Sequence, residues 1–118
     1  MIVAVASDGN TVSAHFGHCE GFNIYDIEEE KILKQEFKEN PGHKPGFLPV
    51  FLKSLNTEVI ITGGMGETAQ QLFNENSIEV VTGARGLSEE AVKQYIKGEL
   101  KSTGSICNEH QHEDHCNG

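Results

Sequence analysis

Apolar residues occur along this chain in short bursts, each closed by glycine, proline or acid, and the bursts switch between strand-like and helical periods. Ile2 to Ala6 is an unbroken apolar run ended by Ser7-Asp8-Gly9-Asn10, which predicts a buried first strand. Over Gly21 to Ile27, Phe22, Ile24 and Asp26 alternate with Asn23, Tyr25 and Ile27. After the acidic turn Glu28-Glu29-Glu30, Ile32 to Phe37 is a second extended run able to pair back as a hairpin. Pro41, Gly42, Pro45 and Gly46 then break the chain, and Phe47, Leu48, Phe51, Leu52 and Leu55 fall at helical spacing, with Pro49 tolerable in the first turn.

Two strand-glycine-helix units follow. Glu58 to Thr62 is a fourth strand, and Gly63-Gly64-Met65-Gly66 leads into a helix with Ala69, Leu72 and Phe73 on one face. Ile78 to Thr82 repeats the pattern through Gly83-Ala84-Arg85-Gly86. In the helix after it, Ser88 is the expected N-cap, Glu89 and Glu90 suit the first turn, Leu87 is placed to staple onto Val92, and Gly98 marks the end. Such units need right-handed crossovers and a parallel sheet, while the hairpin adds antiparallel pairing, so the expectation is an α/β domain with a mixed sheet. Its carboxyl edge, where open α/β sheets bind ligands, would gather Asp8 and both glycine loops.

The chain has 118 residues, enough for a single core, and this domain is expected to span 1–100. Residues 101–118 contain one aliphatic residue, Ile106, and are expected to form a flexible tail. Nine Lys and Arg against 18 Asp and Glu give a net charge of -9, which disfavours nucleic acid and anionic membrane as partners. The apolar start is cut by Ser7 and Asp8 with no basic flank, so neither a signal peptide nor a spanning helix is expected, and the location expected is cytoplasmic. Three cysteines suit ligands in a reducing compartment better than a disulfide framework, and six histidines accompany them.

Between the first two strands, His15, His18 and Cys19 stand at i, i+3 and i+4. One helical turn would put two imidazoles and a thiol on a common side, a set that suits iron, zinc or copper. The plainer alternative is that His15 bonds a carbonyl and Cys19 packs as a small hydrophobe. His43, after the third strand, would face the same cavity unless it is a solvated loop histidine. The Gly63, Gly64, Met65 and Gly66 loop lets amides approach an anion at a helix N-terminus, or is simply a tight turn requiring positive φ. Arg85 adds a positive charge for an anionic cluster or carboxylate, or else forms a surface salt bridge. In the tail, Cys107, His110, His112, His115 and Cys116 put two soft sulfur and three imidazole donors within ten residues, a density that suits Zn, Ni, Co or Cu. Gly-x-Ser-x-Gly, His-Glu-x-x-His and a tight carboxylate cluster are all missing, so catalysis is not expected.

Ile2-Val3-Ala4-Val5-Ala6-Ser7-Asp8-Gly9, His15-Phe16-Gly17, Glu58 to Gly66, Val80 to Ala84, Glu90-Ala91 and Gly98-Glu99-Leu100 together resemble the dinitrogenase iron-molybdenum cofactor biosynthesis family. The resemblance implies a ribonuclease-H-like three-layer α/β/α fold with a mixed five-stranded sheet, order 3-2-1-4-5 and strand 2 antiparallel. It places His15 and the Gly63 to Gly66 loop at the family's ligand-binding edge. His18 and Cys19 depart from the commoner residues after His-Phe-Gly and, with His43, resemble a subgroup with extra ligands. The function implied is a non-enzymatic carrier of an iron-sulfur or iron-molybdenum-type cluster or its precursor, served by a cluster-assembly protein partner, as a monomer or weak homodimer. A metallochaperone or metal sensor working through its tail, or a small enzyme acting on an anionic metabolite, are the alternatives.

Overall fold

In the computed structural model, which describes residues 1–42 and 47–100, the unbroken apolar run Ile2 to Ala6, with Ser7 and Asp8, makes the central strand β1 (Ile2–Asp8). Its odd positions Val3 and Val5 face one layer and its even positions Ala4 and Ala6 the other, and all four are wholly buried. A strand buried on both faces has no polar side to spare, which is why this run is continuous in apolar residues. β1 turns through Gly9 at φ 64 into the two-residue strand β2 (Thr11–Val12). The hairpin follows as β3 (Gly21–Glu28) and β4 (Lys31–Glu39), closed by Glu29 and Glu30, both at positive φ. That is the two-residue turn whose twist matches the strands, made here without glycine at some cost in strain.

Helix α1 (Phe47–Ser54) precedes β5 (Val59–Ile61), and α2 (Glu67–Glu75) joins β5 to β6 (Glu79–Val81), which α3 (Ser88–Ile96) follows. The sheet runs β4-β3-β1-β5-β6, with β1, β5 and β6 parallel and β3 antiparallel to both neighbours. β2 pairs with β1 off this path, a sixth strand absent from the five-stranded expectation. Two residues are too few to leave a periodic signal; tertiary bonds such as Val12 N–H to the Gly86 carbonyl hold them.

The three helices end alike. Asn56, Ser77 and Gly98 take positive φ, and the next amide reaches back to a carbonyl in the last turn: Thr57 to Leu52, Ile78 to Phe73, Glu99 to Gln94. This C-terminal cap satisfies carbonyls that would otherwise lack donors. α1 and α2 cover one sheet face, burying Leu48, Leu52 and Phe73 against Ala4, Ala6, Phe22 and Ile60. α3 covers the other, burying Ala91 and Val92 against Val3, Val5, Tyr25 and Ile61. Its start differs from the sequence expectation. Leu87 is the N-cap and makes no staple; it is 53% exposed and its backbone bridges Thr11. Ser88 lies inside the helix, and its buried hydroxyl shares a 2.8 Å hydrogen bond with that of Ser7. A long-range contact thus takes the side chain that local capping rules would assign to the helix end. Among the described residues no helix is long and apolar enough to cross a membrane.

Candidate functional site

The parallel strands β1, β5 and β6 bring their carboxyl ends to one edge, and a short ladder of backbone bonds ties the loops there together. Gly63 N–H donates to the Ser13 carbonyl at 2.9 Å, Phe16 N–H to the Gly64 carbonyl at 3.0 Å, and Gly83 N–H to the Gly63 carbonyl at 2.8 Å. The loop carrying His15 is therefore fastened to the first glycine loop, and that loop to the second. Gly63 is required by proximity: a Cβ there would lie 2.8 Å from the Ala14 Cα and 2.9 Å from the Ser13 carbonyl oxygen. Positive φ is not the reason for glycine at 63, 64 or 66; it occurs instead at Gly83 and Gly86 in the second loop.

Gly66 is the N-cap of α2, at φ -65 and ψ 155, with open space where a Cβ would stand. Ser or Asp would cap the helix better than glycine there, so the fold itself gives no reason for leaving the position bare. Arg85 is exposed between Gly83 and Gly86. Met65 is buried in the core beside Phe73 and Ile60, so of the four residues in the first loop it serves packing.

His15 sits in extended backbone just before a single 3₁₀ turn, Phe16–His18. Ser13 fixes it locally, its hydroxyl donating to the His15 carbonyl at 3.0 Å and accepting the His15 amide at 3.2 Å. Phe16 pins the turn from below, edge-on to Phe73 at 5.3 Å and tilted against Phe22 at 5.8 Å. His15 is half-buried and its Nδ1 is fully enclosed with no hydrogen-bond partner, a state that costs about 1–3 kcal/mol unless something fills it. The His18 ring stands perpendicular to that of His15, centroids 6.4 Å apart, and is exposed.

Cys19 points elsewhere. The one turn is 3₁₀ and already extended at Cys19, so the thiol drops into the core with Phe16, Phe22 and Leu48 instead of joining the imidazoles. Burial, then the nearby charge of Asp8, push its pKa up to about 11, against the opposing hydrogen bond from Asn40 Nδ2 to Sγ at 3.7 Å. The thiol is therefore protonated and unreactive at neutral pH. Among the described residues no three His, Cys, Asp or Glu side chains are grouped so as to hold a metal ion. His43, Cys107, His110, His112, His115 and Cys116 lie outside the described residues.

A pH dependence follows from the raised thiol pKa. Below about pH 9 the thiol is protonated in both states; as pH rises from about 9 toward 11 the unfolded chain loses the proton first, so stability falls. Urea unfolding should show the advantage of wild type over Cys19→Ala shrinking by about 2 kcal/mol between pH ~8 and ~10.5. Tyrosine ionisation is common to both proteins and cancels.

Asn40 and Glu20 were not singled out from sequence. Asn40 Nδ2 also donates to the Cys19 carbonyl at 3.1 Å, while Glu20 Oε1 accepts the Gly9 amide at 2.7 Å and its own amide donates to Asp8 at 3.0 Å. The Asn-Pro-Gly run at 40–42 was the available signal, since Asn before such a turn commonly bonds nearby backbone.

The family model described as dinitrogenase iron-molybdenum cofactor matches residues 1–98. An uncharacterized protein of Methanocaldococcus jannaschii, MJ0580, is 30% identical over 106 residues, 86% of this chain and 90% of the relative. The crystal structure of PH0822 superposes with TM-score 0.81 at 36% identity, covering 88% of this chain and 96% of that one. The apo form of the orange protein from Desulfovibrio gigas shares the fold at TM-score 0.75 and 23% identity, covering 88% and 93%.

Proposed function

The chain belongs to the dinitrogenase iron-molybdenum cofactor family, and from that premise we propose that it binds and carries a metal or iron-sulfur-type cluster as cargo, without catalysing a reaction, at the edge where His15 meets the Gly63–Gly66 loop. The observation that carries this reading is the enclosed, unpartnered Nδ1 of His15, an imidazole nitrogen kept free of protein hydrogen bonds beside a loop whose one side chain, Met65, turns into the core. An imidazole suits iron and its first-row neighbours. The bare N-cap at Gly66 leaves the amide end of α2 open to a negatively charged cluster, and Arg85 supplies a fixed positive charge.

In this scheme His15 is the first ligand and His18 the second within reach. Cys19, whose thiol lies in the apolar core with Phe16, Phe22 and Leu48, packs beneath them in this scheme and is not a ligand. The Cys/His-rich residues 107–116 recruit the metal, and a cluster-assembly protein is the partner that receives it.

Anaerobic reconstitution with ferrous iron and sulfide, followed by absorption spectroscopy, tests the reading. Full-length protein and a variant ending at residue 103 should both develop a cluster chromophore, and His15→Ala should bind at least about tenfold more weakly. If His15→Ala is unimpaired while removal of the last 15 residues abolishes uptake, the protein is instead a metallochaperone or sensor working through its tail.

A further inference from the structure

We propose that a second copy of this chain pairs with the free edge of β4, antiparallel, about a two-fold axis passing between Gln35 and Gln35 of the second copy. β4 ends the sheet, and its outer edge is unpaired among the described strands. Such an edge presents a row of backbone donors and acceptors ready for another strand. It also carries exposed apolar side chains, Leu33 at 56% and Phe37 at 38%. Leu33 has no partner on β3, because Ile32 faces Ile27 and Lys34 faces Asp26; from Lys34 onward the strand is regular.

Symmetry restricts the register. A two-fold axis joining two antiparallel edge strands stands perpendicular to the sheet and preserves its faces. Directly opposed residues share a face, so the axis must pass between a residue and its own copy. Centring on Lys34 sets two lysines face to face, and centring on Glu36 sets two glutamates so; like charges directly opposed are unfavourable. Centring on Phe37 leaves Leu33 outside the ladder. Centring on Gln35 opposes Lys34 to Glu36 of the second copy twice, within the regular stretch that begins at Lys34, and sets the exposed Leu33 and Phe37 beside its two ends. Every charge in that three-residue ladder meets its opposite, and the two exposed apolar side chains flank it.

The wider charge distribution favours the same stripe. The chain carries -9 overall, yet Lys31 to Glu39 holds three lysines against two glutamates, so repulsion between copies along this strand is lower than the overall charge implies. A ladder this short makes a weak dimer, half formed at roughly tens to hundreds of micromolar chain, and it does not depend on the cargo reading.

Sedimentation equilibrium on the full-length chain, without metal, tests the pairing. Wild type should dimerise, and Lys34→Glu and Glu36→Lys should each raise the dissociation constant at least about tenfold, since each opposes like charges twice. An equimolar mixture of the two variants should recover the wild-type constant, because the carboxylate introduced at position 34 of one copy then faces the ammonium introduced at position 36 of the other; a folding defect could not produce that rescue. Wild type monomeric at about 1 mM, either variant dimerising as wild type does, or a mixture that stays monomeric would each overturn the proposal. Dimerisation of Lys34→Glu alone would favour the Phe37-centred register.

Discussion

Phe73→Ala is expected to lower the unfolding free energy by about 3–5 kcal/mol, a large share of the roughly 5–15 kcal/mol that holds a domain together. Phe73 is wholly buried in α2 and touches three parts of the fold at once. It anchors α2 on the sheet, its carbonyl accepts the Ile78 amide that closes the helix, and its ring supports Phe16 edge-on. The truncation leaves a cavity beside a 3₁₀ turn that has only three residues of its own, so little can collapse to fill it. Urea unfolding measures the loss. Because Phe16 seats the turn between His15 and His18, iron-sulfide reconstitution should weaken even under conditions where the variant is fully folded. A loss under about 1 kcal/mol would show that α2 is held by something other than this ring.

Much of that arrangement was legible in the sequence, because the elements carrying it have strong local signals. The Ile2 to Ala6 run, the alternation from Gly21, the turn at Glu29-Glu30 and the helical spacing around Leu48 and Phe73 each follow a period or a turn rule. The structure places an element on every one of them. Gly98 was readable as a helix end because positive φ is what glycine supplies there; Asn56 and Ser77 do the same work less visibly. What failed was decided at long range. Ser88 obeys the local rule for an N-cap, but Ser7, 81 positions away, takes its hydroxyl. Leu87 looks like a staple, but Thr11 claims its backbone.

The site was legible to the same degree. His15 and the glycine loop could be assigned to one edge because strand order and parallel pairing fix which loops meet there. The direction of Cys19 could not be read off, since spacing of i, i+3, i+4 predicts a shared side only in a regular α-helical turn. The turn is 3₁₀, and the apolar pocket formed by Phe16, Phe22 and Leu48 draws the thiol inward. The buried Nδ1 of His15 is likewise invisible to sequence, because enclosure depends on how the loop is fastened at Gly63 and Gly64.

That fastening makes two glycines three positions apart respond in opposite ways. Gly63→Ala places a methyl group against the backbone of Ser13 and Ala14, and neither side has a flexible side chain that could move away. The loops must separate, weakening the Gly63-to-Ser13 and Phe16-to-Gly64 hydrogen bonds, and the expected loss is about 2–4 kcal/mol from overpacking and unmade bonds together. At Gly66 the Cβ of Gly66→Asp stands in open space and its carboxylate is positioned to cap the helix, so the fold should keep its stability or rise by a few tenths of a kcal/mol. Cluster uptake is expected to fall in both: in Gly63→Ala along with stability, in Gly66→Asp without any loss of it, because a carboxylate then occupies the amide end of α2 and repels an anionic cargo. Thermal unfolding and anaerobic reconstitution on the same two preparations separate the cases. If Gly66→Asp took up iron and sulfide as wild type does, the open N-cap would have no part in holding the cargo, and the binding edge would reduce to His15 and its neighbours.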